Sequence, residues 1–278
     1  MIAARVNGTE LFYESHGSGR PLLMMHGGLG LDHTTLRPWH DALSEGAELI
    51  YYDHRGNGRS ERPASLDDVD HATWIADADA LRAHLGHERV VLLGHSYGAF
   101  LALEYALRYP GRLDGLILCA GAAVVNYADA IVAGAKARGT PAQFDAFAET
   151  LSKPTADDAA LRDAWNTIFP LYFNHPDPGV CAFALRDVSF SASASNRSLQ
   201  QCLAKYDVAG RLGEIAVPTL ILAGRHDFVC PVAPAAELLH DGIDDSSLVV
   251  FENSAHFAFI EERDRYIGVI GDWLAALS

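Results

Sequence analysis

One serine in this chain has the surroundings that a nucleophile needs. Ser96 lies at the centre of GHSYG (94–98), directly after the branched aliphatic run VVLL (90–93). The flanking glycines leave room for a tight strand-to-helix turn that exposes the serine side chain at the N-terminus of the next helix. Free N–H groups at that end stabilise developing negative charge. A plain N-cap serine is the alternative, but the buried strand before it and the long helix after it favour a nucleophile.

The base that such a serine requires is predicted at His256. A serine hydroxyl is a weak nucleophile until a base removes its proton. Four histidines follow Ser96 in the chain: His175, His226, His240 and His256. His256 alone comes after the last predicted strand, in VVFENSAHFAFIEE (249–262), where a loop can return the imidazole to the carboxyl edge of the sheet.

The acid that orients this base is predicted at Asp227. In TLILAGRHDFVCP (219–231) it follows a buried strand at its C-terminal end, where open α/β sheets build their sites. Arg225 and His226 offer the same carboxylate a surface ion pair instead. Asp129 is a second candidate but lies in helical sequence, so the pattern favours Asp227.

Acyl chemistry also needs donors for a developing oxyanion. PLLMMHGGLG (21–30) supplies a strand that ends in a glycine-rich loop, and we expect the N–H of Gly28 to be exposed there. The N–H of Tyr97, directly after the serine, is the predicted second donor.

The elements that would position these residues alternate along the chain. Short apolar runs predict strands at 11–14, 21–25, 48–52, 89–93, 113–119, 219–223 and 247–251. Amphipathic stretches predict helices at 35–44, 71–85, 97–109, 233–240 and 259–276. Uncharged runs such as VVLL (90–93), LILC (116–119) and TLILA (219–223) are typical of strands buried on both faces. They predict a mostly parallel sheet sandwiched between helices, an α/β fold.

One region, 123–206, departs from this alternation. It shows helical patterns and five prolines, and the strand pattern resumes only at VPTLILAG (217–224). We therefore predict a core domain of residues 1–122 and 207–278 with an inserted helical cap at 123–206. The cap contributes an aromatic set that could line a pocket: Phe144, Phe147, Trp165, Phe169, Tyr172, Phe173, Phe183 and Phe190.

Composition excludes several classes of partner. A formal net charge of −15 over 278 residues, without clustered basic residues, argues against nucleic acid. The sequence shows no signal peptide pattern and no apolar run of the roughly 20 residues that a membrane span needs. The four cysteines, Cys119, Cys181, Cys202 and Cys230, form no metal-binding spacing. We predict a cytoplasmic protein without metal or cofactor, a monomer or small homo-oligomer with a small-molecule substrate.

Five segments together resemble the α/β-hydrolase fold family over nearly the full length. They are HGGLG (26–30), YYDHRGNGRS (51–60), GHSYG (94–98), AGRHDFVCP (223–231) and SAHF (254–257). The resemblance implies a triad of Ser96, Asp227 and His256, oxyanion donors at Gly28 and Tyr97, and a cap over the site. It also implies that DHRGNGRS is a structural loop, in which Arg55 ties neighbouring segments together.

Within that family the chain is similar to the proline iminopeptidase-like branch, which holds peptidases, amidases and esterases. Proline iminopeptidases read HGGPG, whereas this chain has Leu29 in place of the proline. They also carry cap glutamates that pair with a free amino terminus. Here FALRDVSF (183–190) resembles one such segment faintly, with Asp187 in the acidic position.

The resulting prediction is a serine hydrolase of a small ester or amide with an apolar acyl or aryl part. Expected substrate contacts in the cap are Trp165, Phe169, Tyr172, Phe183 and Asp187. A proline iminopeptidase-type aminopeptidase is the first alternative. A C–C bond hydrolase, a cofactor-free oxygenase and a non-catalytic ligand-binding receptor are further alternatives, because the fold hosts them too.

Overall fold

The computed structural model describes residues 2–28 and 30–277, so Leu29 lies outside the described residues. Within those ranges the chain forms eight strands: β1 (Ile2–Val6), β2 (Thr9–Gly17), β3 (Arg20–Met25), β4 (Ala47–Tyr52), β5 (Val90–His95), β6 (Leu113–Cys119), β7 (Thr219–Gly224) and β8 (Ser246–Phe251). They build one sheet in the order β1-β2-β4-β3-β5-β6-β7-β8. The β1–β2 and β2–β4 pairs are antiparallel and all the others are parallel.

Ten α-helices occur in the same described ranges: α1 (His71–His84), α2 (Tyr97–Arg108), α3 (Ala128–Arg138), α4 (Pro141–Ser152), α5 (Asp158–Ile168), α6 (Pro178–Leu185), α7 (Ala192–Arg197), α8 (Glu237–Gly242), α9 (Ala258–Glu261) and α10 (Arg263–Ala276). The predicted fold class is confirmed, because a mostly parallel sheet has helices packed on both faces. Alternate residues of β5 point to opposite cores. Val90 and Leu92 pack with α1 and α2, while Val91 and Leu93 pack with α10.

Between β6 and β7 the chain is helical and runs through α3 to α7. An isolated antiparallel bridge between Val124 and Asp207 closes the base of this excursion. The N–H of Val208 also donates to the carbonyl of Ala123 at 2.9 Å. These contacts support a boundary near 123 and 207, and the division into core and cap stays our proposal.

Most predicted elements match the observed ones, but three helices differ. The predicted helix 35–44 is wrong: the chain forms short 3₁₀ turns at His33–Thr35 and Asp41–Glu45. Pro38 lies between them and lacks the N–H that a continuous helix would use. The helix predicted at 233–240 starts late, because Ala233 before Pro234 is extended and α8 begins at Glu237.

The last predicted helix, 259–276, is two helices. Its break falls at Glu262, whose φ of −124° and ψ of 48° leave the helical region between α9 and α10. The N-terminal strand β1 has no counterpart in the sequence prediction. Among the described residues no helix combines the length and the apolar character needed to cross a membrane.

Candidate active site

The turn between β5 and α2 holds Ser96 in a conformation that few non-glycine residues adopt. Its φ is 55° and its ψ is −120°. A Cβ on Gly94 would lie 2.4 Å from the carbonyl oxygen of Gly98, and one on Gly98 would lie 2.2 Å from that of Met25. Both glycines are therefore needed for close backbone packing, and the packed turn directs the half-buried Ser96 toward a cavity.

The glycine-rich loop after β3 lies against this turn. A Cβ on Gly27 would come within 2.8 Å of the Ser96 Cβ, so a side chain there would collide with the turn. Gly28 has a φ of 49° and lines the same cavity as Ser96 and Tyr97. Across residues 2–28 and 30–277, the N–H groups of Gly28 and Tyr97 donate to no protein acceptor. Both are thus available to an oxyanion.

The loop after β8 brings His256 to Asp227, which follows β7. His256 Nδ1–H donates to Asp227 Oδ2 at 2.7 Å, and both residues are buried. The other carboxylate oxygen accepts from the N–H groups of Val229 at 2.8 Å and Cys230 at 3.1 Å. Since Nδ1 carries its proton toward the carboxylate, a neutral His256 ring has a free lone pair on Nε2.

His95, beside the serine, orients the loop that carries His256. Its Nε2–H donates to the carbonyl of His256 at 3.1 Å, and the His256 N–H donates to the carbonyl of Tyr172 at 3.0 Å. Burial lowers the pKa of His95 well below its ordinary value, so this ring stays neutral. The main chain of His256 is therefore held from both sides, by the core and by the cap.

Ser96 and His256 both line the cavity between core and cap. No hydrogen bond joins Ser96 Oγ to the His256 ring in the part of the chain that the structure describes. Bonds between nucleophile and base are often long before a substrate binds.

The cavity has a volume of about 220 Å³ and a mostly apolar wall. The cap side includes Ile131, Phe147, Leu161 and Trp165, and the core side includes Phe100. None of the described residues in this wall is Asp, Glu, Lys or Arg. The site therefore suits a neutral, apolar ligand, because an unpaired charge would be costly to bury there.

Two of the five expected cap contacts line this cavity, Trp165 and Tyr172. The Trp165 ring lies over the glycine loop, with its Cζ2 atom 3.4 Å from the position of a Cβ on Gly28. The Tyr172 and His256 rings have centroids 5.3 Å apart. Trp165 and Tyr172 therefore form the part of the cap that lies next to the predicted oxyanion donor Gly28 and the predicted base.

The expectation for the other three is corrected, because none is among the described residues that line the cavity. Phe169 is 1% exposed and packs on Phe257, so it is buried between the cap and the loop after β8. Phe183 is 41% exposed on the outer surface. The Asp187 carboxylate is also exposed and pairs with Arg186 at 2.7 Å. Helical spacing could not separate outward and inward positions in a cap of short helices.

Several lining residues were not singled out in the sequence. Leu31, Phe100, Leu199, Leu203 and Val229 reach the cavity from separate elements. Each is an ordinary apolar residue in its local pattern, so no sequence signal distinguishes it from a core residue.

The DHRGNGRS segment contacts the glycine-rich loop, where the N–H of Gly30 donates to Asn57 Oδ1 at 2.6 Å. Arg55 pairs with Asp77 at 2.7 Å and donates to the carbonyl of Asn7, which ties the loop to α1 and the β1–β2 turn. Buried Asp53 accepts from His33 Nδ1 at 2.7 Å. Burial opposes charge on His33, but Asp53 outweighs it and raises the pKa of His33. The raised pKa favours the protonated form of His33, which Asp53 stabilises.

Two clusters have donor atoms suited to a metal ion. Asp227, Cys230 and His256 each offer one ligand atom, and these atoms lie within 4.8 Å of one another. Asp32, His33 and Asp53 do the same. In the second cluster the carboxylates accept hydrogen bonds from His33, Ser189 and Thr34. Asp227 in the first cluster likewise accepts from His256, Val229 and Cys230, so an ion at either cluster must displace a hydrogen bond. The first cluster differs in offering a thiol.

Known proteins resemble this architecture over its whole length. The alpha/beta hydrolase fold family matches residues 20–164. A proline iminopeptidase of Saccharolobus solfataricus is 32% identical, over 97% of this chain and 90% of its own. An esterase from Exiguobacterium antarcticum has a TM-score of 0.79 and 26% identity, covering 99% of both chains. A meta-cleavage product hydrolase from Pseudomonas fluorescens shares the fold, with a TM-score of 0.82 at 20% identity over 100% of this chain and 98% of its own.

Proposed function

This chain belongs to the α/β-hydrolase fold family, in its proline iminopeptidase-like branch, and is a hydrolase of ester or amide bonds; on that premise we propose a Ser96, His256 and Asp227 triad. Its proposed substrates are small neutral esters or amides with an apolar acyl or aryl part. The observation that carries this proposal is a strained serine facing the same uncharged cavity as His256, whose Nδ1–H bonds Asp227.

In the proposed mechanism His256 Nε2 takes the Ser96 proton while the alkoxide attacks the substrate carbonyl. The N–H groups of Gly28 and Tyr97 donate to the oxyanion of the tetrahedral intermediate. Asp227 keeps the imidazole proton on Nδ1 and stabilises the ring when Nε2 is protonated. His256 then gives that proton to the leaving group, and water repeats the sequence on the acyl-enzyme.

The cavity wall supports the choice of substrate class. An aminopeptidase must hold a cationic amino terminus, which a buried carboxylate would recognise best. The described wall has no carboxylate, and Asp187 lies outside it in a surface ion pair. Trp165 and Tyr172 offer aromatic surface to an acyl or aryl group.

A proline iminopeptidase-type activity is the second candidate. It is favoured by the 32% identity to the Saccharolobus solfataricus enzyme over nearly the whole chain. The two candidates share the nucleophile and differ in whether the substrate must carry a free amino group.

The first experiment compares wild type with Ser96→Ala on short p-nitrophenyl esters. We expect kcat/KM to fall at least about 1,000-fold, because the acyl-enzyme cannot form. Ser18→Ala is the control, since Ser18 is exposed before β3 and should leave activity unchanged. A fluorophosphonate should label wild type and Ser18→Ala but not Ser96→Ala. Near-normal activity or labelling of Ser96→Ala would refute the nucleophile.

A second assay separates the two candidates. Prolyl p-nitroanilide is offered with a free and with an acetylated amino group, beside p-nitrophenyl butyrate and benzoate. We expect ester turnover and no dependence on a free amino group. Selective cleavage of the prolyl anilide that has a free amino group, without turnover of the esters, would instead establish the peptidase.

The cytoplasmic location and the assembly as a monomer or small homo-oligomer remain predictions from the sequence.

A further inference from the structure

We propose that Asp227, Cys230 and His256 form an inhibitory site for a thiophilic divalent cation such as Zn²⁺ or Cd²⁺. The binding rests on the geometry of the cluster, and its inhibitory effect rests on the proposed function. Cys230 plays no part in the catalytic steps above, so its thiol is free for a second role.

The donor set matches what these ions prefer. A carboxylate oxygen, a thiol sulfur and an imidazole nitrogen lie within 4.8 Å of one another, and all three residues are buried. Zinc sites with three protein ligands use these atom types at about 2.0 to 2.3 Å. The thiol adds selectivity for soft ions over Mg²⁺ or Ca²⁺, which prefer oxygen ligands.

The three side chains must shift to become a ligand set, because their ligand atoms lie up to 4.8 Å apart and two ligands on a tetrahedral zinc are roughly 3.3 to 3.6 Å apart. Asp227 Oδ2 and His256 Nδ1 are 2.7 Å apart and share a proton that an ion can replace. Two ligands on a tetrahedral zinc are separated by roughly 3.3 Å, so this contact must open by a few tenths of an ångström. His256 and Val229 line the cavity, whereas Cys230 is 1% exposed and is not among the described lining residues, so an ion must pass these two side chains to reach the sulfur.

Binding of the cation releases one proton overall. The Cys230 thiol releases one proton to solvent, and its sulfur binds the cation as a thiolate. The imidazole keeps one proton, which moves from Nδ1 to Nε2 when Nδ1 binds the ion. Asp227 binds as the carboxylate it already is.

This transfer of the imidazole proton explains why the metal-bound enzyme would be inactive. With a proton on Nε2 and a cation on Nδ1, His256 has no lone pair to accept the Ser96 proton. The ion also withdraws Asp227 from its stabilising role. Inhibition should therefore reverse when a chelator removes the ion.

The test measures cadmium binding and ester turnover in parallel. Wild type should bind one Cd²⁺ in equilibrium dialysis, show the ultraviolet sulfur-to-cadmium absorption and lose activity, which EDTA restores. Cys230→Ala should need at least about tenfold more Cd²⁺ for binding and for inhibition, because the soft ligand is gone. Cys202→Ala is the matched control, since it removes a thiol outside the cluster and should behave as wild type.

Cys230→Ser retains the size of the side chain and replaces Cys230→Ala in the test if that variant does not fold. Equal cadmium affinity in wild type, Cys230→Ala and Cys230→Ser would overturn the proposal, as would the absence of the sulfur-to-cadmium band in wild type. Ser96→Ala should bind cadmium normally, because the serine is not a ligand. Retained esterase activity in Ser96→Ala would refute the triad while leaving the binding result to decide the metal site.

Discussion

At the scale of single residues, the strain at Ser96 depends on the glycines around it. A non-glycine residue with positive φ costs on the order of 1–3 kcal/mol and persists only where neighbours fix it. Here the Ser96 N–H donates to the carbonyl of Cys119 at 2.9 Å, which anchors the turn to β6. With glycine at positions 94 and 98, the neighbouring backbone packs closely enough to hold Ser96 in this conformation.

We expect Gly98→Ala to lower the free energy of unfolding by about 1–3 kcal/mol, because its Cβ would lie 2.2 Å from the Met25 carbonyl oxygen. Ester turnover should fall as well, since β3 and the turn must separate. Urea unfolding and a p-nitrophenyl ester assay measure the two effects.

The matched control is Gly271→Ala in α10, where an added Cβ meets nothing within 4 Å. It should raise stability by up to about 1 kcal/mol through helix propensity. Gly98→Ala with unchanged stability and turnover would show that the turn does not need this close contact.

At the scale of elements, Glu261 at the end of α9 links the cap to the loop of His256. One carboxylate oxygen accepts from the N–H groups of Asn174 at 2.8 Å and His175 at 2.9 Å. The other accepts from the N–H of Ala255 at 2.7 Å. One side chain therefore ties the segment after α5 to the residue before the predicted base.

Glu261→Ala should reduce the free energy of unfolding by at least about 2 kcal/mol, because hydrogen bonds to a charged acceptor contribute more than neutral ones. It should also lower kcat more than it raises KM, since His256 loses its support. Thermal unfolding and ester kinetics test both expectations.

Glu252→Ala is the control for this prediction. Its carboxylate pairs with Arg225 on the exposed surface, where such pairs contribute little, so stability and kcat should not change. An equal effect of both variants would contradict the linking role of Glu261.

At the scale of the whole molecule, buried histidines set the response to acid. Burial lowers the pKa of His26, His54 and His95, and it lowers that of His40 to about 4. Below pH 6.5 the unfolded chain protonates these rings while the folded protein does not. The unfolded state then binds more protons, so stability falls as the pH falls. His33, whose pKa Asp53 raises, acts in the opposite direction.

His40 alone should account for about 3 kcal/mol of lost stability between pH 6.5 and pH 4. His40→Gln should therefore flatten the plot of unfolding free energy against pH by up to about 1.4 kcal/mol per pH unit in that range. Urea unfolding at several pH values gives the slope. His175→Gln, which changes an exposed side chain, should leave the slope unchanged. A His40→Gln slope equal to that of wild type would disprove this origin of acid sensitivity.

The sequence by itself determined the sheet and the residues that come together at its edge. Short apolar runs predict seven of the strands, and the central ones read as continuous apolar sequence because they are buried on both faces. Chain order after Ser96 then leaves one suitable histidine and favours one acid. Local patterns suffice here, since each of these residues follows directly after a strand whose carboxyl end meets the same edge.

Only the tertiary structure decided which cap residues face the cavity. Trp165 and Phe183 are both aromatic residues in helical sequence, yet one lies over the glycine loop and the other is exposed. Cys230 is equally ordinary in sequence, and its proximity to His256 arises because β7 and β8 are neighbours in the sheet. The orientation of a short helix and the contacts between distant loops depend on packing across the whole chain, which no local pattern records.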